Sequence, residues 1–136
     1  MSRARTLQLM ALKKTIALQA YRQEATRLFD EIARLDGRLA QIAELDRGYR
    51  DQLAVPDLHV TEYRDVMQII GRLRERSDID QARNQILIAE RTRLRTVLAE
   101  KKRQIDKLEE SADQARKEER QERDERLARL TPARRS

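Results

Sequence analysis

The stretch Ala25–Leu53, ATRLFDEIARLDGRLAQIAELDRGYRDQL, sets its larger apolar side chains in steps of four and three. Leu28, Ile32, Leu35, Leu39 and Ile42 follow at that spacing, and after a polar step at Asp46 the row resumes at Tyr49 and Leu53. A repeat of about 3.5 residues means a helix that buries a narrow seam against another helix. Downstream lies a break, Val55-Pro56-Asp57-Leu58-His59-Val60-Thr61, and beyond it a second row. That row runs Val66, Ile70, Leu73, then Leu87, Leu94, Leu98, Ile105, Leu108, Ala112 and Ala115.

The break is short enough to fold the second helix back onto the first. The expected fold is therefore all-α: a long antiparallel two-helix coiled-coil hairpin with helix two overhanging. Its parts are a first helix within 1–54, a turn at 55–61, a second helix over 62–130 and a flexible basic tail at 131–136. Helix one should begin near Thr6 and extend about 70 Å, and helix two about 100 Å, at 1.5 Å per residue. Pro56 stops the first helix, because a residue before proline is biased away from helical geometry. Thr61 is the expected N-cap of the second, with Glu62 complementing its dipole. Leu9, Leu12 and Ile16 do not run smoothly into Tyr21 and Ala25, which predicts a change of seam phase near Ile16 to Leu18. A parallel homodimer is the rival arrangement, since a seam does not state which helix it faces.

Composition agrees with long helices. Charged residues make up 40% of the chain and aromatics 3%, with three Gly and two Pro in 136 residues. So few bulky apolar side chains cannot fill a compact core, and burial must be spread along a seam. The seam argues against disorder over 18–115. There is no Cys and a single His, so neither a disulfide framework nor a zinc site is expected. No apolar run approaches the roughly 18 residues that span a bilayer, and the basic start lacks a signal-peptide pattern. A cytoplasmic protein is the expectation.

Folding the rows together pairs Tyr49 with the neighbourhood of Val66, Ile42 with Leu73, Leu28 with Leu87 and Tyr21 with Leu94. Residues 1–23 then lie beside 91–112. The net charge of +6 is concentrated there. Five cations, Arg3, Arg5, Lys13, Lys14 and Arg22, precede the first acidic residue, Glu24. Residues 91–107 carry Arg91, Arg93, Arg95, Lys101, Lys102, Arg103 and Lys107 against Glu100 and Asp106. The two basic blocks should meet at the open end.

Polar residues Ser77, Asp80, Asn84 and Arg91 fall in the second seam, where they either fix register and partner choice or are merely tolerated. Near the turn, Val66, Met67, Ile69 and Ile70, with Tyr63 before them and Leu45 and Tyr49 across, exceed what one partner helix buries. They are either an interaction patch or a widened seam. No catalytic constellation is visible: His59 stands alone, and Gly37, Gly48 and Gly71 form no phosphate loop. No enzyme activity, cofactor or metal is expected. Nucleic acid is not the expected partner either, because the charges alternate in sign over most of the chain and no aromatic platform accompanies the arginines. A solvated charge face and docking to an acidic protein surface are the two readings of the basic end.

The stretch Leu45-Asp46-Arg47-Gly48-Tyr49-Arg50-Asp51-Gln52-Leu53 resembles the Tyr-Arg-x-x-Leu ending of helix one in the FliJ family, the coiled-coil proteins of the flagellar type III export apparatus. Tyr63-Arg64-Asp65-Val66, with Ile70 four residues on, resembles that family's Tyr-x-x-Phe-x-x-x-Leu start of helix two. Glu119-Arg120-Gln121-Glu122-Arg123-Asp124-Glu125 is similar to its charged tail. Val66 stands where the family usually has Phe, and the tail carries no aromatic, which leaves a flagellar protein and a YscO-type injectisome stalk both open.

The resemblance implies a hairpin like the central shaft of a rotary ATPase, with both termini in the pore of the hexameric export ATPase, promoting its assembly and activity. The turn side would contact the export gate membrane protein, and some members bind export chaperones. Membrane association would then be peripheral, at the cytoplasmic face of the inner membrane. On this reading Arg3, Arg5, Lys13, Lys14, Arg91, Arg93, Arg95, Lys101, Lys102 and Arg103 dock the ring. Ile42, Leu45, Tyr49, Val66 and Ile70 face the gate, with Tyr49 foremost. A generic coiled-coil adaptor or chaperone binding a client helix is the alternative.

Overall fold

The computed structural model describes residues 2–130. Two helices, α1 (Arg3–Leu53) and α2 (Val60–Leu130), pack against each other as an all-α hairpin. The chain's seams thus meet each other, in place of a parallel homodimer. The proposed tail at 131–136 lies outside the described residues.

The helix ends follow from local chemistry. Ser2 caps α1: the Arg5 amide donates to Ser2 Oγ at 3.2 Å, satisfying one of the first-turn donors that a helix leaves free. The Ala4 amide donates to Glu119 Oε1 of α2 at 3.2 Å, so a carboxylate from the other helix sits at the positive end of the α1 dipole. At the other end, Ala54 and Val55 close tight turns onto the carbonyls of Asp51 and Gln52 before Pro56. The N-cap of α2 is His59 and not Thr61. The Thr61 amide donates to His59 Nδ1 at 3.2 Å, and the Tyr63 amide to the His59 carbonyl at 2.9 Å. A ring nitrogen two residues back reaches the amide that a threonine cap would have left for its successors.

The chain divides into two compact units, Glu24–Arg95 and a second that joins Met1–Gln23 to Thr96–Ser136. In the first, Leu28, Ile32, Leu35 and Leu87 form a buried cluster against which Leu94 packs. Leu28 and Leu87 thus share the core as their spacing predicts, and Ile42 and Leu73 line one groove. In the second unit, the ammonium of Lys101 lies 5.0 Å from the centre of the Tyr21 ring, and Lys14 Nζ donates to Gln104 Oε1 at 3.3 Å. Tyr21 therefore meets Lys101 in place of Leu94, Lys14 bonds Gln104 and Ala4 meets Glu119, so the expected register is displaced along α2 by about one to two helical turns, and Arg38 on Asp80 shows a displacement in the first unit as well. Beyond Glu119, α2 is exposed to its last described residue, Leu130.

Within α2 the seam is unbroken from Val66 to Glu119, alternating steps of four and three, and every one of its residues is buried or half-buried. In α1 the seam holds one phase as well. Counting back from Leu28 it passes Ala25, Tyr21, Leu18, Lys14, Ala11, Leu7 and Ala4, of which Leu18, Ala11 and Ala4 are fully buried. The predicted phase change does not occur. Leu9, Leu12 and Ile16 are exposed and lie away from the seam.

Candidate functional site

Three groups of side chains stand out, each within one unit. The first is a polar centre in Glu24–Arg95. Asp80 is almost completely buried, and Arg38 crosses from α1 to bind it through two hydrogen bonds, Nε to Oδ2 and Nη2 to Oδ1, both 2.7 Å. Arg76 adds a contact of 3.4 Å from the turn before. Asn84, one helical turn on, donates from Nδ2 to Asp36 Oδ1 at 2.7 Å, and Arg83 donates to Glu31 at 2.6 Å.

Hydrogen bonds from Arg38 hold the Asp80 carboxyl below its ordinary range; burial opposes this, and the charges of Arg38, Arg76 and Arg83 reinforce it. Glu31 is lowered for the same reason, chiefly by its hydrogen bond from Arg83. Paired guanidinium–carboxylate bonds of this kind are directional, so they reward one alignment of the helices over its neighbours. Two of the four polar seam residues thus act as register pins. Arg91 does not: its Nε is buried without a hydrogen-bond partner, as is Asn84 Oδ1.

The second group surrounds Tyr49. Gln41, Glu44, Leu45, Gly48, Tyr49 and Gln52 line an open groove of about 620 Å³ along α1. A Cβ at Gly48 would meet nothing within 4 Å, so the missing side chain adds to the open space there. Of the five residues expected to face a gate, Ile42, Val66 and Ile70 are buried in the seam, and Tyr49 is half-buried. Leu45 is exposed, as are Tyr63 and Met67. The accessible apolar surface is therefore narrower than the sequence suggested, and it centres on Leu45 and the Tyr49 ring.

The third group is basic. Arg3, Arg5, Lys13 and Lys14 are exposed on α1, and Lys102 and Arg103 on α2, in the unit where Lys14 bonds Gln104. Lys101 belongs with them but is half-buried over Tyr21. Arg91, Arg93 and Arg95 fall in the other unit, so the expected meeting of the whole 91–107 block with residues 1–23 is replaced by one with Lys101–Lys107. The register displacement is the cause.

Sequence reasoning found Asp80 and Asn84 but missed Arg38 and Asp36 as their counterparts across the hairpin, and Glu119 as the acceptor at the start of α1. Those assignments need the register, which periodicity does not supply. It also passed over the exposed Phe29, Ile79 and Ile86. Among the described residues, no cluster of three or more His, Cys, Asp or Glu could hold a metal ion, and no helix is long and apolar enough to cross a membrane. Comparison with protein-family models, curated proteins and solved structures finds no match to this chain.

Proposed function

We propose that this protein is a non-enzymatic stalk subunit of a type III export apparatus, flagellar or injectisome, that docks a hexameric ATPase and links it to a membrane gate. The observation that carries the reading is electrostatic. The first 23 residues hold five cations and no carboxylate, and they pack against the part of α2 that holds Lys101, Lys102, Arg103 and Lys107. The α2 stretch also carries Glu100 and Asp106, so the excess positive charge sits mainly on α1, and such an excess attracts an acidic partner over roughly a Debye length, about 8 Å at physiological salt. The resemblance of the Tyr49 and Tyr63 segments to FliJ supplies the kind of partner. In this assignment the Leu45–Tyr49 groove is the gate-facing site and the peripheral membrane location follows from the gate.

The test is the ATP hydrolysis rate and hexamer fraction of the same organism's export ATPase, with and without the protein. A rise in both supports the stalk. No binding and no change removes it in favour of the adaptor reading. Reversing Arg3, Arg5, Lys13 and Lys14 to Glu should abolish the effect, and retention of full stimulation would detach ring docking from the basic end.

A further inference from the structure

Leu9, Leu12 and Ile16 are 46%, 55% and 64% exposed on α1, outside its seam with α2, and Leu12 borders a groove that Glu109, Asp113 and Arg116 of α2 also line. Their steps of three and four repeat the seam spacing. At about 100° per residue the three side chains fall within an arc of about 60°, a narrow stripe two turns long. Helices that enter grooves or join coiled coils are held at such i, i+3, i+7 positions. On α1 no carboxylate occurs before Glu24, and Arg5 and Lys13 adjoin the stripe, one turn before Leu9 and one turn after it; the carboxylates of α2 near it, Glu109 and Asp113, lie on the Leu12 side beside Arg116.

We infer that this face is the docking seam for a third helix, supplied by a partner, apolar at steps of three and four and flanked by Asp or Glu. Two other occupants fit less well. The same face of a second copy would bring only further cations, since residues 1–23 hold no carboxylate, and like charges across a helix pair repel. A lipid surface wants a broad apolar face of the order of 100° or more, and Lys13 lies about 40° from Leu9, which cuts the stripe on that side. A helical partner needs only the narrow stripe, and its acidic flanks would answer the cations. The inference does not depend on the ATPase reading, because it uses one face of α1 alone.

The test uses the full chain and three probes: a labelled helical peptide with Leu at the a and d heptad positions and Glu at e and g, the same peptide with Lys at e and g, and phosphatidylcholine vesicles containing phosphatidylserine. Saturable binding of the Glu-flanked peptide is expected, weakened by salt, with the Lys-flanked peptide bound far less. The double variant Leu12→Ser/Ile16→Ser should lose about tenfold to a hundredfold in affinity, as expected when two apolar contacts are removed. Its helix content and melting should stay unchanged, since both side chains are exposed. Lys13→Glu should shift preference from the Glu-flanked to the Lys-flanked peptide.

Absence of saturable binding to the Glu-flanked peptide, equal binding of both peptides, or undiminished affinity in the double variant would overturn the inference. So would vesicle binding or self-association that the double variant abolishes while the peptide goes unbound. ATPase stimulation without peptide binding would leave the stalk reading standing and remove this one.

Discussion

The two units bury different kinds of seam. Glu24–Arg95 carries a leucine and isoleucine cluster of Leu28, Ile32, Leu35 and Leu87, beside a polar centre in which Arg38 and Asp80 fix the alignment. The unit built from the chain before Glu24 and after Arg95 buries Ala4, Ala11, Ala112 and Ala115 with Leu18 and Ile105, and seals its edge with Lys101 over Tyr21 and Glu119 on the start of α1. Alanine removes little apolar surface from water, and each methylene is worth about 0.8 kcal/mol. Four of the larger apolar residues of that unit's first helix, Leu9, Met10, Leu12 and Ile16, are instead exposed. Both units leave large apolar side chains exposed, Phe29, Ile79 and Ile86 in the first among them, so what separates the two is the size of the side chains that the seam buries.

Core truncation should expose this contrast most strongly. Leu35→Ala, at a site 1% exposed, should cost about 2–5 kcal/mol of stability, read from chemical unfolding, because it removes a buried side chain and leaves a cavity. A loss no greater than that of Leu12→Ala would break the comparison. The polar centre makes a pH prediction. Folding lowers the Asp80 carboxyl below its ordinary value of 3.8, so the stability it contributes is present above about that pH and lost as pH falls further. Asp80→Asn should weaken the hairpin at neutral pH and flatten its acid decline between pH 5 and 2. An unchanged acid profile in that variant would move the register pin elsewhere.

A third change should run in the stabilising direction. Arg91 occupies the seam with a buried, unpaired Nε, and Arg91→Leu should raise stability by about 1–2 kcal/mol, seen as a higher melting midpoint. A fall would mean that the arginine stem or its charge serves the packing. In the other unit, Glu119→Gln keeps an acceptor for the Ala4 amide but removes the charge from the α1 dipole. It should cost about 0.3–1 kcal/mol and speed amide exchange at the start of α1. The smallest effect is expected at the outward stripe, where Ile16→Ser should stay within about 0.5 kcal/mol. A large loss there would show that Ile16 supports the fold.

The difference between the units also explains what was readable in advance. The Leu28–Ile42 row declared itself because large side chains coincide with the seam. In residues 4–18 the seam is written in Ala4, Leu7, Ala11, Lys14 and Leu18, with small or polar residues at three of the five places, so the eye follows Leu9, Leu12 and Ile16 onto the wrong face and infers a phase change. Around the turn, Val66, Met67, Ile69 and Ile70 together exceed what one partner helix buries, and the sequence does not say that Val66 and Ile70 are the buried ones while Met67 stays exposed. His59, which stands alone in the sequence, caps α2 through a bond that depends on where the helix starts, not on any motif.

By itself the sequence determined that the protein is two long helices with facing seams, where the chain turns, which positions lie in the α2 seam and where the cations concentrate. These are local or periodic properties, set by side-chain size, helical repeat and the proline at 56. Only the tertiary structure decided the register and everything that hangs on it: Arg38 on Asp80, Asp36 on Asn84, Lys101 over Tyr21 and Glu119 at the start of α1. A sevenfold repeat returns the same residues to the seam after a shift of one heptad, so periodicity leaves such alignments nearly degenerate. Directional bonds between individual side chains separate them, and those form only when both helices are in place.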